Sequence, residues 1–124
     1  MREKGRILFV DDEQDFAEAM SQVLRMEGYT VETAFSGSKA IDVFKTRKFD
    51  LVITDQTMPK MTGMELINEL RHIQFDIPII LCTGFNEKIT EDNTRHLGIG
   101  ALIGKPVRIA EIARKIREVL DRRS

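Results

Sequence analysis

Apolar and polar positions follow one another along this chain in short, regular blocks. Four almost wholly apolar runs, rich in Ile, Leu and Val, cover residues 7–10, 51–53, 79–82 and 101–103. Runs of this length and composition, separated by helix-length segments, are typical of parallel strands buried on both faces. Residues 30–35 alternate more weakly and predict one further strand.

The segments between these strands carry apolar residues at helical spacing. Gly28 is placed to end the first helix, Ser36 to cap the second, and Thr62 to open the third with capping-box spacing. The segment 86–97 has few apolar anchors, so a fourth helix there would pack weakly against the sheet. The inward positions predicted for the first, third and last helices are Phe16, Met20, Val23, Leu24, Leu66, Ile67, Leu70, Ile73, Ile109, Ile112, Ala113, Ile116, Val119 and Leu120.

This alternation of strand and helix predicts an α/β fold. We expect a (βα)5 doubly wound, flavodoxin-like parallel sheet with helices on both faces. The strand order 2-1-3-4-5 is taken from that fold class, because periodicity does not reveal it. A chain of 124 residues has room for one core of ordinary size, so residues 1–124 are expected to form a single domain.

Composition narrows the classes of function. Nineteen basic and twenty acidic residues leave a net charge of −1, which favours contact with neither nucleic acid nor an anionic membrane. Cys82 is the only cysteine, which excludes an internal disulfide, and its predicted strand makes it an inert buried thiol. No apolar stretch approaches the roughly 18 residues that span a bilayer, so we expect a cytoplasmic protein or domain.

Side chains capable of chemistry follow four of the predicted strands. They are Asp11, Asp12, Asp55, Thr83 and Lys105. The carboxyl ends of parallel strands share one edge of the sheet, where ligands bind, so these side chains should meet there. Two carboxylates about 4 Å apart repel by roughly 4 kcal/mol at an effective dielectric near 20, so such a cluster raises pKa values or holds a cation. Oxygen ligands favour Mg²⁺, or else Mn²⁺, over zinc.

A divalent cation, an ammonium and a hydroxyl around one carboxylate can hold a phosphoryl group. Asp55 is the candidate nucleophile because it stands alone at its strand end, whereas Asp11 and Asp12 are adjacent and suited to share a metal. An Asp after a strand is more often a turn former or a helix cap, and Asp12 or Asp15 could cap the first helix. Such features at the ends of four of the five predicted strands favour the functional interpretation.

These residues resemble the receiver domain of two-component response regulators over essentially the whole chain. The motifs that carry the resemblance are residues 10–12, 55–63, 80–84 and 105–106. The resemblance implies that Asp55 accepts a phosphoryl group from a phosphohistidine on a histidine kinase or a histidine phosphotransfer protein. It also implies a signalling module that is not a conventional enzyme, with Mg²⁺-dependent self-phosphorylation and autodephosphorylation.

The same resemblance implies a set of roles at the site. Mg²⁺ would be held by the side chains of Asp12 and Asp55 and by the backbone carbonyl of Thr57, with Asp11 acting largely through water. The two residues that would contact the phosphoryl group are Thr83 and Lys105. The Lys105–Pro106 bond would be cis, and the output surface would comprise the fourth helix, the fifth strand and the fifth helix.

Individual residues and short segments of the sequence lead to further expectations. Residues 78–85 and 104–107 look most like receivers attached to hybrid sensor histidine kinases, which predicts covalently linked kinase domains in a longer protein. Leu102 stands where the family usually has Tyr or Phe, so we expect a weaker or differently routed switch. Phe85 could hinder hydrolysis of the aspartyl phosphate.

Three alternatives remain open. One is a receiver-like interaction module that is never phosphorylated. Another is a Mg²⁺-dependent phosphatase of the haloacid-dehalogenase type, although Thr57 occupies the place of its second acid. The third is an FMN carrier of the same fold, although the acidic residues 11–13 would repel a phosphate in the absence of a metal.

Overall fold

The structure is a computed structural model that describes residues 4–84 and 98–123. Its five strands are β1 (Arg6–Val10), β2 (Thr30–Ala34), β3 (Leu51–Asp55), β4 (Ile79–Thr83) and β5 (Ala101–Gly104). The helices between and after them are α1 (Gln14–Met26), α2 (Gly37–Phe44), α3 (Gly63–Ile73) and the C-terminal helix (Ile109–Arg123). The fourth helix predicted over 86–97 and the role predicted for Phe85 lie outside the described residues.

The five strands form one parallel sheet in the order β2-β1-β3-β4-β5, which confirms the predicted fold class and strand order. The register pairs Val10 with Thr54, Asp55 with Cys82, and Thr83 with Gly104. The carboxyl ends of β1, β3, β4 and β5 therefore lie at nearly the same level in the sheet. This alignment sets the side chains that follow them along one edge.

Each face of the sheet packs against helices in its own apolar cluster. In β1, Ile7 and Phe9 point into a cluster with α1 and the C-terminal helix, whereas Leu8 and Val10 point into a cluster with α2 and α3. Every residue of β3 and β4 is buried, as the continuous apolar runs predicted. The central strands are thus fixed on both sides, which holds their carboxyl ends in place.

Local signals at the helix ends agree with the sequence. The Ser36 side chain accepts a hydrogen bond from the Lys39 amide at 3.2 Å, so it caps α2. Gly28 follows α1 with φ +106°, a backbone conformation that L residues rarely adopt. Within the described residues, no helix combines the length and the apolar run that crossing a bilayer requires.

Candidate functional site

Three carboxylates meet at the carboxyl edge of the sheet. Asp11, Asp12 and Asp55 each offer an oxygen, and these oxygens lie within 4.8 Å of one another. Asp11 and Asp55 are buried, with 7% and 4% of their surfaces exposed, whereas Asp12 is exposed. The acidic residues that the sequence singled out are therefore brought together, with one member open to solvent.

Backbone contacts hold the first acid of this cluster. The Asp11 amide donates to the carbonyl of Ala34 at the end of β2 at 3.1 Å. The Asp11 Oδ1 atom accepts a hydrogen bond from the Glu13 amide at 2.9 Å. The residue at the N-cap of α1 is Glu13, so neither Asp12 nor Asp15 caps this helix, and the alternative explanation of these acids as helix caps does not hold. The turn set by Asp11 leaves Asp12 in the acidic cluster.

The electrostatics of the cluster are unfavourable in the absence of a cation. The pKa of Asp11 is raised to about 6, chiefly by burial and also by the negative charges of Asp55 and Asp12. The hydrogen bond from the Glu13 amide and the positive charge of Lys105 act in the opposite direction. A group with these neighbours is stabilised by either a proton or a nearby positive ion.

Lys105 supplies a positive charge at the buried end of β3. Its Nζ atom lies 2.6 Å from Oδ1 of Asp55. Its amide donates to the carbonyl of Thr83 at 2.8 Å, which joins the start of the β5 loop to the end of β4. The Lys105–Pro106 peptide bond is cis, as the resemblance implied.

The other residues predicted for the site occupy adjacent positions. Thr83 is buried at the end of β4, next to β3 in the sheet. Thr57 is exposed in the loop between β3 and α3. Leu102 is partly buried in β5 and packs against the cluster beneath α2 and α3.

A pocket opens beside the acidic cluster, between the start of α1 and the loop after β5. It has a volume of ≈ 360 Å³, and its walls include Phe16, Cys82 and Val107 as well as Asp11 and Lys105. The Cys82 thiol is buried as predicted, and burial, followed by the charges of Asp55 and Asp11, raises its pKa to about 12. This cysteine is therefore protonated and unreactive at neutral pH.

Gln56 was not among the predicted site residues, yet it makes several contacts at the site. Its amide donates to the carbonyl of Cys82 at 2.9 Å. Its carbonyl accepts from the Gly63 amide at 3.0 Å, and its side-chain Oε1 accepts from the Met64 amide at 2.9 Å. A polar residue directly after a buried strand was the only available signal.

The residues present suit a hard divalent cation. The three carboxylates offer oxygen donors, which Mg²⁺ and Mn²⁺ prefer. The exposed Asp12 leaves room for the water ligands that Mg²⁺ retains. Burial is the main cause of the raised pKa of Asp11, and the charges of Asp55 and Asp12 add to it; a cation would offset both effects.

The fold and the site together define a class of protein. A doubly wound parallel sheet, with clustered carboxylates and a lysine at its carboxyl edge, is the arrangement of the receiver class of α/β domains. The profile of the family described as response regulator receiver domain matches residues 7–117. The chain belongs to this family, whose members are phosphoacceptor modules of two-component signalling and not conventional enzymes.

Solved structures agree with the family assignment. The chain superposes on a response regulator receiver domain protein from Clostridium thermocellum with TM-score 0.88 and 28% identity, covering 95% of each chain. A CheY-like receiver domain protein from Methanospirillum hungatei JF-1 gives TM-score 0.87 and 31% identity, covering 94% of each chain. Both likenesses extend over nearly the whole molecule.

Curated relatives include transcriptional regulators. A probable transcriptional regulator, ycf27, from Cyanidium caldarium is 32% identical over 121 residues, which is 98% of this chain and 48% of the relative. The probable transcriptional regulatory protein TcrX from Mycobacterium tuberculosis is 34% identical over 118 residues, covering 94% of this chain and 50% of the relative. The chain spans about half the length of the curated relatives it matches.

Proposed function

We propose that Asp55 is the phosphoacceptor of this receiver and that its donor is a phosphohistidine. The observation that carries the proposal is the contact of 2.6 Å between Lys105 Nζ and the buried Asp55 carboxylate, beside two further carboxylates. A buried carboxylate that faces an ammonium and a cation site can act as a nucleophile toward phosphorus. The alternatives of an FMN carrier, a phosphatase and an unphosphorylated module are not favoured, given the family.

The transfer requires one new bond and one broken bond. A carboxylate oxygen of Asp55 attacks the phosphorus of the phosphoimidazole, the P–N bond breaks, and the imidazole nitrogen takes up a proton. Lys105 pairs with the negative oxygens of the transferred group, and the hydroxyl of Thr83 moves to donate to one of them. Hydrolysis by water reverses the modification.

The proposed Mg²⁺ ligands are the side chains of Asp12 and Asp55 and the backbone carbonyl of Thr57, with Asp11 acting largely through water. Mn²⁺ is expected to bind the same oxygen donors. When bound, the ion would supply positive charge that stabilises the phosphoryl group during transfer. The chain's own residues orient the carboxylate and exclude bulk water, since Asp55 is 4% exposed.

The proposed signalling partner is a histidine kinase or a histidine phosphotransfer protein. The prediction of a hybrid sensor kinase as the source protein stays a prediction, because the relatives compared include transcriptional regulators. For the same reason, the expectation of no nucleic-acid contact is kept only for this domain. A cytoplasmic location and the absence of membrane contact by this domain are part of the same proposal.

The proposal is tested by treating the protein with acetyl phosphate and Mg²⁺ and measuring intact mass. We expect one hydroxylamine-sensitive phosphoryl adduct that maps to Asp55 by peptide mass spectrometry and disappears in Asp55→Asn. Asp76→Asn, an exposed carboxyl at the opposite edge of the sheet, should be labelled like the wild type. An adduct that persists in Asp55→Asn, or dependence on neither Mg²⁺ nor Mn²⁺, would contradict the proposal.

A further inference from the structure

The start of α3 is tied to the residue that follows the phosphoacceptor. The first four amides of this helix belong to residues 63–66, and each has an acceptor. Gln56 accepts two of them, from Gly63 through its backbone carbonyl at 3.0 Å and from Met64 through its side-chain Oε1 at 2.9 Å. Thr62 accepts the other two, through its hydroxyl and its carbonyl. Two residues thus supply the acceptors for all four of these amides.

Gln56 is also fixed on its other side. Its amide donates to the carbonyl of Cys82 in β4 at 2.9 Å, and it directly follows Asp55. A side chain at Gly63 would not fit, since its Cβ would lie 2.9 Å from Leu81 Cδ1 and closer still to the Asp55 carbonyl oxygen. The helix start is therefore seated directly on the backbone of Asp55 and Gln56.

We infer that the side chain of Gln56 is a positioning residue for Mg²⁺-dependent phosphorylation of Asp55, acting through its hydrogen bond from the Met64 amide. The inference rests on the function proposed above. Asp55 and Thr57 flank Gln56 on either side, and both are proposed Mg²⁺ ligands. The distance between their oxygens therefore depends on the orientation of the Gln56 backbone.

The number of hydrogen bonds explains why the side chain matters. The bond from the Gly63 amide holds only the backbone carbonyl of Gln56 against the helix and leaves its side chain unrestrained by that contact. The second bond, from the Met64 amide to Oε1, fixes both the side-chain torsions and the backbone of Gln56 relative to the helix. Groups that orient metal ligands without touching the metal commonly change metal affinity when they are removed.

Two substitutions at Gln56 separate the hydrogen bond from the bulk of the side chain. Gln56→Met keeps the length but removes the acceptor, whereas Gln56→Glu keeps an oxygen in reach of the Met64 amide. Isothermal titration with Mg²⁺ should show affinity lowered roughly 10-fold in Gln56→Met. Gln56→Glu should bind at least as tightly as wild type. If Gln56→Met does not fold, Gln56→Asn, which is too short to reach the amide, takes its place.

Thr62→Val is the matched control. It removes the other side-chain cap of the same helical turn, at 3.2 Å from the Glu65 amide, but leaves both Gln56 contacts in place. A purely structural role of the cap predicts that Thr62→Val and Gln56→Met lower both Tm and Mg²⁺ affinity alike. Our inference predicts a similar fall in Tm for both variants, with loss of Mg²⁺ affinity only in Gln56→Met.

The outcomes distinguish this inference from the proposed function. Wild-type Mg²⁺ affinity in Gln56→Met, or an equal loss in Thr62→Val, would overturn the role of Gln56 and leave the role of Asp55 standing. Wild-type protein that binds no Mg²⁺ and takes up no phosphoryl group would overturn the proposed function itself. Retention of the Met64 amide bond in Gln56→Glu is checked by the chemical shift and exchange rate of that amide.

Discussion

The two strand-to-helix junctions at the site differ in how they are closed. At the junction of β3 and α3, every amide of the first helical turn has a protein acceptor, and Thr62 and Glu65 form a reciprocal capping box. At the junction of β1 and α1, the N-cap residue Glu13 makes no side-chain capping bond. Asp12 and Glu13 are exposed there, whereas Gly63 is buried.

This contrast matches the work that each junction is proposed to do. The β3 junction carries Asp55, whose oxygen must be held at a defined place, and the surrounding backbone is fixed by hydrogen bonds at each end. The β1 junction carries Asp11 and Asp12, which face the proposed metal site, where Mg²⁺ would keep several of its waters. We call the β1–α1 junction open, because water can bind the amides at the start of its helix. We call the β3–α3 junction closed, because the protein itself supplies the acceptors.

The largest effect is expected from a side chain at the closed junction. Gly63→Ala would place a Cβ against the Asp55 carbonyl oxygen and Leu81, both of which belong to the fixed core of the sheet. Because the backbone cannot move away cheaply, we expect the free energy of unfolding to fall by about 3 kcal/mol in urea denaturation.

Gly104→Ala provides the control for that substitution. A Cβ at Gly104 would have no atom within 4 Å, so its effect should stay within about 0.5 kcal/mol. Equal stability of the two variants would show that the start of α3 can shift, and the description of this junction as closed would be wrong.

A smaller effect is expected from the charge at the open junction. Asp11→Asn removes the buried charge but keeps Oδ1 as an acceptor for the Glu13 amide. The shift of the Asp11 pKa from 3.8 to about 6 corresponds to a destabilisation of about 3 kcal/mol at neutral pH. Because the amide of Asn also has to be buried, we expect a net gain of about 2 kcal/mol in unfolding free energy at pH 7, measured with EDTA present.

The pH dependence fixes the sign of this prediction. The folded state binds the Asp11 proton more tightly than the unfolded state does, so wild-type stability falls as pH rises from about 4 to about 6. Asp11→Asn should lack that decline, so below about pH 4 it should be about 1 kcal/mol less stable than the wild type. A stability difference independent of pH would mean that the charge of Asp11 is not the cause.

The sequence predicted the fold and the convergence of the site residues because both depend on strong, regular signals. Continuous apolar runs marked the buried strands, and parallel strands in register bring their carboxyl ends to one level. Ser36 and Thr62 were predicted as caps from a pattern of three or four residues, and both cap in the structure. Signals of this kind are local and need no knowledge of the tertiary fold.

Predictions from the sequence were wrong where the burial of a side chain depends on its position relative to the sheet. Val23, Ile73 and Ile109 were predicted to face inward, but each is at least 37% exposed. Helical periodicity gives the direction of a side chain around the axis, whereas burial also depends on whether the sheet extends beneath that point. Gln56 was missed because its bond joins residues eight apart, Gln56 and Met64, across a loop whose shape no local pattern encodes.

The smallest effects are expected from adding a side-chain cap at the start of α1 and removing the one at the start of α3. Glu13 has φ −84° and ψ 98°, the extended conformation of an N-cap, yet it lacks a capping side chain. Glu13→Ser should therefore stabilise the protein by about 0.5 kcal/mol, whereas Thr62→Val should destabilise it by about 1 kcal/mol, both measured by urea denaturation. A higher free energy of unfolding in Glu13→Ser would show that the lack of a side-chain cap at α1, beside the acidic cluster, destabilises the wild-type protein. No gain would indicate that water or a neighbouring group already satisfies the first turn of α1, and the two junctions would then differ in exposure alone.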